Sequence, residues 1–157
     1  MPVSTEEAPR QRARELAEMD IVSPEKRSTM MANIRGKGTT PELRVRRAAH
    51  ALGYRFRLHR RDLPGSPDLV FPRLRKVILV HGCYWHRHSG CRFAYTPKSN
   101  TEFWQRKFEG NLERDQRKLS ELLQLGWEPL VIWECTTYNE DDLKRQIASH
   151  LGSCGGK

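Results

Sequence analysis

No stretch of this 157-residue chain stays apolar for the roughly 20 residues that a membrane helix needs, so no membrane partner is expected. The first 20 residues are charged and carry no apolar block of the kind that forms a secretory leader. The expected setting is therefore cytoplasmic and reducing. Cysteine is sparse, with four residues at positions 83, 91, 135 and 154. In a reducing compartment clustered thiols read as metal ligands or catalytic groups rather than disulfides. Acidic residues are also in deficit, 19 against 28 Lys and Arg, which leaves a net charge of +9. A domain this basic most often meets a polyanion, usually nucleic acid. There is no internal repeat and no interior linker, so the length suits one domain around one core.

What is present divides the chain into a polar extension, residues 1–22, a single folded domain, residues 23–152, and a flexible Gly-rich tail, residues 153–157, that holds Cys154. Residues 6–18 can form an exposed helix, and Ser23-Pro24 starts a short segment running through Met30-Met31. Arg35-Gly36-Lys37-Gly38 reads as a basic loop. Thr40 as N-cap with Pro41 at the first helical position starts a helix whose apolar face is Val45, Ala48, Ala49 and Leu52, and Gly53 ends it. Tyr54-Arg55-Phe56-Arg57-Leu58 alternates like a half-buried strand. Two short apolar runs follow, Asp68-Leu69-Val70-Phe71 and Val77-Ile78-Leu79-Val80, with a turn at Pro72. Thr101 is expected to cap a long helix over residues 102–125 with Phe108, Leu112, Leu119, Leu122 and Leu123 in its core stripe and a bend at Gly110. Residues 127–134 read as a strand, and Asn139 caps a last helix with Leu143, Ile147 and Leu151 on one face. This order predicts an α/β fold, a mixed sheet flanked by helices.

The densest chemistry lies in His81-Gly82-Cys83-Tyr84-Trp85-His86-Arg87-His88-Ser89-Gly90-Cys91, directly after an apolar strand. Cys83, His88 and Cys91 have metal-like spacing, and thiolate and imidazole are the ligands of tetrahedral structural Zn²⁺ sites. If the strand before Cys135 lies parallel to and beside residues 77–80, Cys135 leaves the sheet at the same end as Cys83 and closes a four-ligand site. The competing reading is three buried cysteines acting as small apolar side chains. Upstream, Pro67-Asp68 sets a carboxylate at the head of a strand, where it can present oxygens to a hard cation such as Mg²⁺. An Asp in a turn is common enough that this signal is weak alone. The next strand carries no acidic-x-Lys element, so a proton acceptor must come from elsewhere. His86 and His81 are the candidates, because imidazole titrates near neutral pH.

Leu63-Pro64-Gly65-Ser66-Pro67-Asp68, His81-Gly82-Cys83-Tyr84-Trp85-His86, Thr101-Glu102-Phe103-Trp104, Asn111-x-Glu113-Arg114-Asp115 and Ile132-Trp133-Glu134-Cys135, in this order, resemble the very short patch repair (Vsr) endonuclease family. The resemblance implies a restriction-endonuclease-like (PD-(D/E)xK-type) core and makes residues 23–152 an endonuclease domain with an N-terminal DNA-contacting arm. It implies a strand-specific endonuclease that nicks double-stranded DNA 5′ of the thymine in a T:G mismatch left by deamination of 5-methylcytosine. It further implies a catalytic Mg²⁺ on Asp68 and the main-chain carbonyl of Val80, with His86 as general base, His81 as a second active-site histidine and Glu42 near the metal-bound water. Cys83, His88, Cys91 and Cys135 match the family's structural zinc ligands, while Tyr84, Trp85 and Trp104 match an aromatic wedge and Met31 an apolar residue that enters from the other groove. The expected protein is a nucleoid-associated monomer with functional links to a cytosine-5 DNA methyltransferase and to mismatch-repair proteins. Unstacking a base step costs less beside a mispair, so flat side chains that replace lost stacking favour mismatched DNA before any base edge is read. Two other readings fit the residues, a zinc-stabilised DNA-binding module without catalysis and a nuclease of the same fold with a different DNA target.

Overall fold

The computed structural model describes residues 23–32 and 37–152. The expected helix over residues 6–18, Arg35-Gly36 of the basic loop and the tail with Cys154 lie outside the described residues, as does the side chain of Met31. The elements in chain order are α1 (Pro24–Ala32), α2 (Thr40–Ala51), β1 (Arg57–Leu58), β2 (Leu69–Phe71), β3 (Lys76–His81), α3 (Thr101–Gln124), β4 (Glu128–Trp133) and α4 (Glu140–Leu151). Short 3-10 turns at Pro72–Leu74 and Glu134–Tyr138 follow β2 and β4.

The sheet runs β1-β2-β3-β4. β1 pairs antiparallel with β2 and β2 antiparallel with β3, while β3 and β4 are parallel with His81 opposite Trp133. Successive strand side chains point to opposite faces, and here both faces are dry. Leu69, Phe71, Ile78 and Ile132 pack with Val45, Ala48 and Ala49 of α2 and Leu143, Ile147 and Leu151 of α4. Val70, Val77 and Leu79 pack on the other side with Leu122, Leu119, Leu63 and Trp127. The result is a mixed α/β architecture with helices on both sides of a four-stranded sheet.

Several sequence readings shift. The cap of α2 is Thr39, whose side chain accepts from the Glu42 N–H, and Thr40 is the first helical residue. Residues 54–56 are not strand: Tyr54 turns inward against Phe71, and only Arg57–Leu58 reaches β2. Asn100, in the left-handed conformation, precedes α3 in place of Thr101. Leu112 and Leu123 are exposed, and Trp104 takes a core position that its polar flanks did not suggest. Gly110 does not interrupt α3. A Cβ there meets only the Arg114 side chain at 3.9 Å. Gly110→Ala is therefore expected to stabilise the domain by about 0.5–1 kcal/mol in thermal or urea unfolding, because Ala loses less backbone freedom in a helix. Asn139 caps α4 as expected, accepting from the Asp142 N–H at 3.1 Å.

Candidate active site

The antiparallel register of β2 and β3 places Asp68 beside the end of β3, and the Val80 N–H donates to Asp68 Oδ2 at 2.6 Å. The carboxyl is largely buried. Desolvation pushes its pKa up from the ordinary 3.8 to about 6, against the pull of the Val80 N–H, and the Glu42 charge adds to the rise. Glu42 itself is buried on the first turn of α2, where its Oε2 accepts from the Gly38 N–H at 2.9 Å and pairs with Arg46 at 3.1 Å. Between the two carboxylates sits His59, with Nε2 3.5 Å from Glu42 and Nδ1 3.6 Å from Asp68. Burial lowers the His59 pKa, with Glu42 opposing and Arg46 reinforcing the shift.

His81 ends β3 with its ring stacked on His86, centroids 3.9 Å apart and planes 11° apart. Burial first, then the neighbouring His86, lowers the His81 pKa to about 4, so His81 is neutral at pH 7. His86 Nδ1 lies 2.5 Å from Asp115 Oδ2. One helical turn earlier on α3, Asn111 donates to the Trp85 carbonyl at 3.1 Å. Two α3 side chains at i and i+4 thus hold two consecutive residues of the segment after β3. A cleft of about 230 Å³ joins His59, Asp68, Val80, His81, His86 and Asp115, with Lys37 and Lys118 at its walls. Gly65, at φ +73°, lets the Lys118 stem lie against the chain, since a Cβ there would stand 2.8 Å from Lys118 Cδ. A second cleft of about 430 Å³ shares His86, Asp115 and Lys118 and adds Trp85, Lys107, Asn111 and Arg114.

Beside the clefts the aromatics form one cluster. Tyr84 stands 5.0 Å from Trp85, 5.9 Å from Trp104 and 5.3 Å from Phe108 between ring centroids. Trp104 is 5 % exposed and underlies Trp85 at 6.2 Å, so Tyr84 and Trp85 are the more accessible members.

At the same end of the sheet, the parallel pairing of β3 and β4 brings Cys135 to Cys83, whose sulfur accepts from the Cys135 N–H at 3.4 Å. The His88 Nδ1 stands 3.7 Å from the Cys83 sulfur and 3.3 Å from that of Cys135, and Cys91 completes a group whose ligand atoms lie within 4.8 Å of one another. Tetrahedral Zn²⁺ at about 2.3 Å from sulfur and 2.0 Å from nitrogen separates its sulfur and nitrogen ligands by about 3.5 Å, so the donor set fits that ion. The His88 ring is stacked on Trp133 at 4.4 Å, which fixes its plane. Burial pushes the Cys83 thiol up to about 12.

All the described site residues named from sequence therefore fall into three adjoining groups: Asp68, Val80, Glu42, His81 and His86 around one cleft, Tyr84, Trp85 and Trp104 beside it, and the Cys3His cluster behind it. Met31 lies on α1, and its side chain is outside the described residues. Sequence reasoning gave no role to Asp115 or His59. Asp115 had a signal, since it stands four residues after Asn111 in a motif already singled out. His59 had none.

Asp68 and the stacked His81–His86 pair share one cleft with Lys37 and Lys118 at one end of a mixed α/β sheet, an arrangement fit for hydrolysis of an anionic substrate. Residues 19–92 match the DNA mismatch endonuclease Vsr family. Type II nicking enzyme V.XorIIP of Xanthomonas oryzae pv. oryzae is 53 % identical over 132 residues, covering 84 % of this chain and 96 % of that protein. Type II nicking enzyme V.NmeAIP of Neisseria meningitidis is 40 % identical over 77 % of this chain and 86 % of its own length. DNA mismatch endonuclease Vsr of Escherichia coli is 39 % identical over 79 % of each chain. The chain belongs to the Vsr family of DNA mismatch endonucleases. Among the described residues no helix is long and apolar enough to cross a membrane.

Proposed function

We propose that this protein is a Mg²⁺-dependent endonuclease that nicks one strand of duplex DNA 5′ of the thymine in a T:G mismatch. The observation that carries the reading is the single cleft in which Asp68 and Val80 face the His86–Asp115 pair. Oδ2 of Asp68 is held by the Val80 N–H; Asp68 Oδ1 and the Val80 carbonyl would be the protein ligands of a hard cation. A Mg²⁺ held by these two groups would supply Lewis-acid stabilisation of charge developing on the scissile phosphate. His86 accepts the proton of the attacking water at Nε2, because Asp115 fixes a hydrogen on Nδ1 and leaves the other nitrogen as the acceptor. Neutral His81 braces the ring of His86 and donates toward the phosphate, and Glu42 orients water beside Asp68. Tyr84 and Trp85, supported by Trp104, enter the stack next to the mispair, with Met31 from the opposite groove. Cys83, His88, Cys91 and Cys135 would hold a structural Zn²⁺, which would keep Trp85 and His86 in register with Asp68. Lesion recognition by an asymmetric mispair suits a monomer, and the T:G substrate ties the protein to DNA that a cytosine-5 methyltransferase has marked.

The test is strand-resolved cleavage of a duplex with one T:G mismatch, beside its T:A and C:G counterparts, with and without Mg²⁺. A Mg²⁺-dependent nick confined to the thymine strand, 5′ of the mispair, is expected. Equal cutting of the matched duplexes would leave a nuclease with another target. Binding without cutting under all metal conditions would leave a DNA-binding module.

A further inference from the structure

His59 lies outside every motif the sequence offered, yet it stands against both carboxylates of the cleft. Its backbone is left-handed, with φ +45°. That conformation costs a residue with a Cβ about 1 kcal/mol or more, and such strain persists where the surroundings hold it, commonly at functional sites. The hydrogen positions follow from its neighbours. Arg46 Nη2 is 3.0 Å from His59 Nε2, and a guanidinium only donates. Nε2 is therefore the acceptor, and the ring proton of the neutral imidazole sits on Nδ1. Glu42 competes weakly for Nε2, at 3.5 Å, because its Oε2 already accepts from Gly38 and Arg46. The Nδ1–H then has two acceptors on its side, the Ser66 carbonyl and, across 3.6 Å, Asp68 Oδ1, and a shift of about 0.6 Å toward Asp68 would bring the latter to hydrogen-bond distance.

We infer that His59 is a positioning residue for the metal site, a donor locked by Arg46 that orients the Asp68 carboxylate from the side opposite the Val80 N–H. Once that gap closes, Asp68 would be held at both oxygens, by the Val80 N–H and by His59. Hydrogen bonds to a ligating carboxylate commonly change metal affinity by about 10–100-fold when lost. This inference rests on Asp68 as a metal ligand.

The left-handed backbone supplies the variants. His59→Gly removes the imidazole and relieves the φ, so the fold is retained. His59→Asn tolerates the φ and places an amide N–H where Nδ1 stands. The probe is Mn²⁺, titrated into the zinc-loaded full chain and followed by loss of the free-ion electron paramagnetic resonance signal. His59→Gly is expected to weaken Mn²⁺ binding at least tenfold without lowering the melting temperature, and His59→Asn to return it to within about threefold of wild type. Wild-type affinity in His59→Gly, or no recovery in His59→Asn, overturns the assignment, as does nitrogen coupling on bound Mn²⁺ that vanishes only with His59, which would make it a direct ligand. Asp68→Asn in the same titration separates the two claims. If that variant binds Mn²⁺ as wild type does, the metal reading itself fails. If it alone loses binding, only the role of His59 fails.

Discussion

Asp68→Asn is expected to lower nicking by about 10³-fold or more while making the Mg²⁺-free protein more stable near pH 7. The loss follows from removing the one charged protein ligand proposed for a Lewis acid worth several kcal/mol at the transition state. The gain in stability has a separate origin. The folded-state pKa of Asp68, about 6, lies above the ordinary 3.8, because the carboxylate is buried. A raised acid pKa means that the ionised group opposes folding at any pH above 6, and that this cost fades as the pH falls toward 3.8. A shift of this size corresponds to about 3 kcal/mol, and Asn keeps an oxygen to accept from Val80, so a gain of about 1–3 kcal/mol is expected. Melting in Mg²⁺-free buffer between pH 4 and 8 is the measurement. Wild type should lose stability relative to the variant as the pH rises through the interval from 4 to 6, and Mg²⁺ should narrow the difference at pH 7 by stabilising wild type alone. Proton and metal compete for the same oxygens, so nicking at subsaturating Mg²⁺ should also fall as the pH drops below 6. A variant no more stable than wild type at pH 7 would mean that Asp68 is not a desolvated carboxylate.

The ease with which parts of this site are read from sequence has a physical basis. Asp68 and the segment 81–91 are legible because residues with chemistry are concentrated where two short apolar strands end, and the strands are short enough that few registers are possible. The parallel pairing of β3 and β4, a condition the sequence left open, then brings Cys135 to Cys83. Helix α3 was harder. Its inward stripe is Trp104, Phe108, Asn111, Asp115, Lys118, Leu119 and Leu122, a continuous helical face whose middle is polar because it lines the clefts. A search for apolar periodicity passes over that middle and recruits Leu112 and Leu123, one position off the stripe and exposed. The same displacement hid the role of Asp115. His59 is a different case. It reaches Asp68 only through a left-handed turn after β1, and nothing in the local alternation of residues 54–58 encodes that turn.

Cys135→Ala is expected to lose the zinc proposed for the Cys3His cluster and to disable the active site together. The segment between β3 and α3 has neither helix nor strand over residues 82–100. Its own backbone bonds are short-range, such as His86 N–H to the Gly82 carbonyl, His88 N–H to that of Cys83 and Ala94 N–H to that of Cys91. The Cys3His cluster is what ties this segment to the end of β4, since Cys135 belongs to the turn that follows β4 and the other three ligands to the segment. With one thiolate gone, a bound zinc would keep three ligands from the segment after β3 and lose its tie to β4. Trp85 and His86 lie between ligands 83 and 88, so freedom there moves the proton acceptor relative to Asp68, and a misplacement of about 1 Å can cost 10²-fold in rate. Stability should fall by about 3 kcal/mol or more, on the order of 10 °C in melting for a domain of this size. The variant should contain less than one equivalent of zinc by elemental analysis, melt lower and lose most of its nicking, whereas Cys154→Ser should keep zinc, stability and activity. The Asp68 and Cys135 variants are thus opposites in stability and alike in activity, which distinguishes a proposed ligand of the catalytic metal from a residue that holds the loop in place. Full zinc content in Cys135→Ala would remove Cys135 from the ligand set and with it the link between the metal and the register of His86.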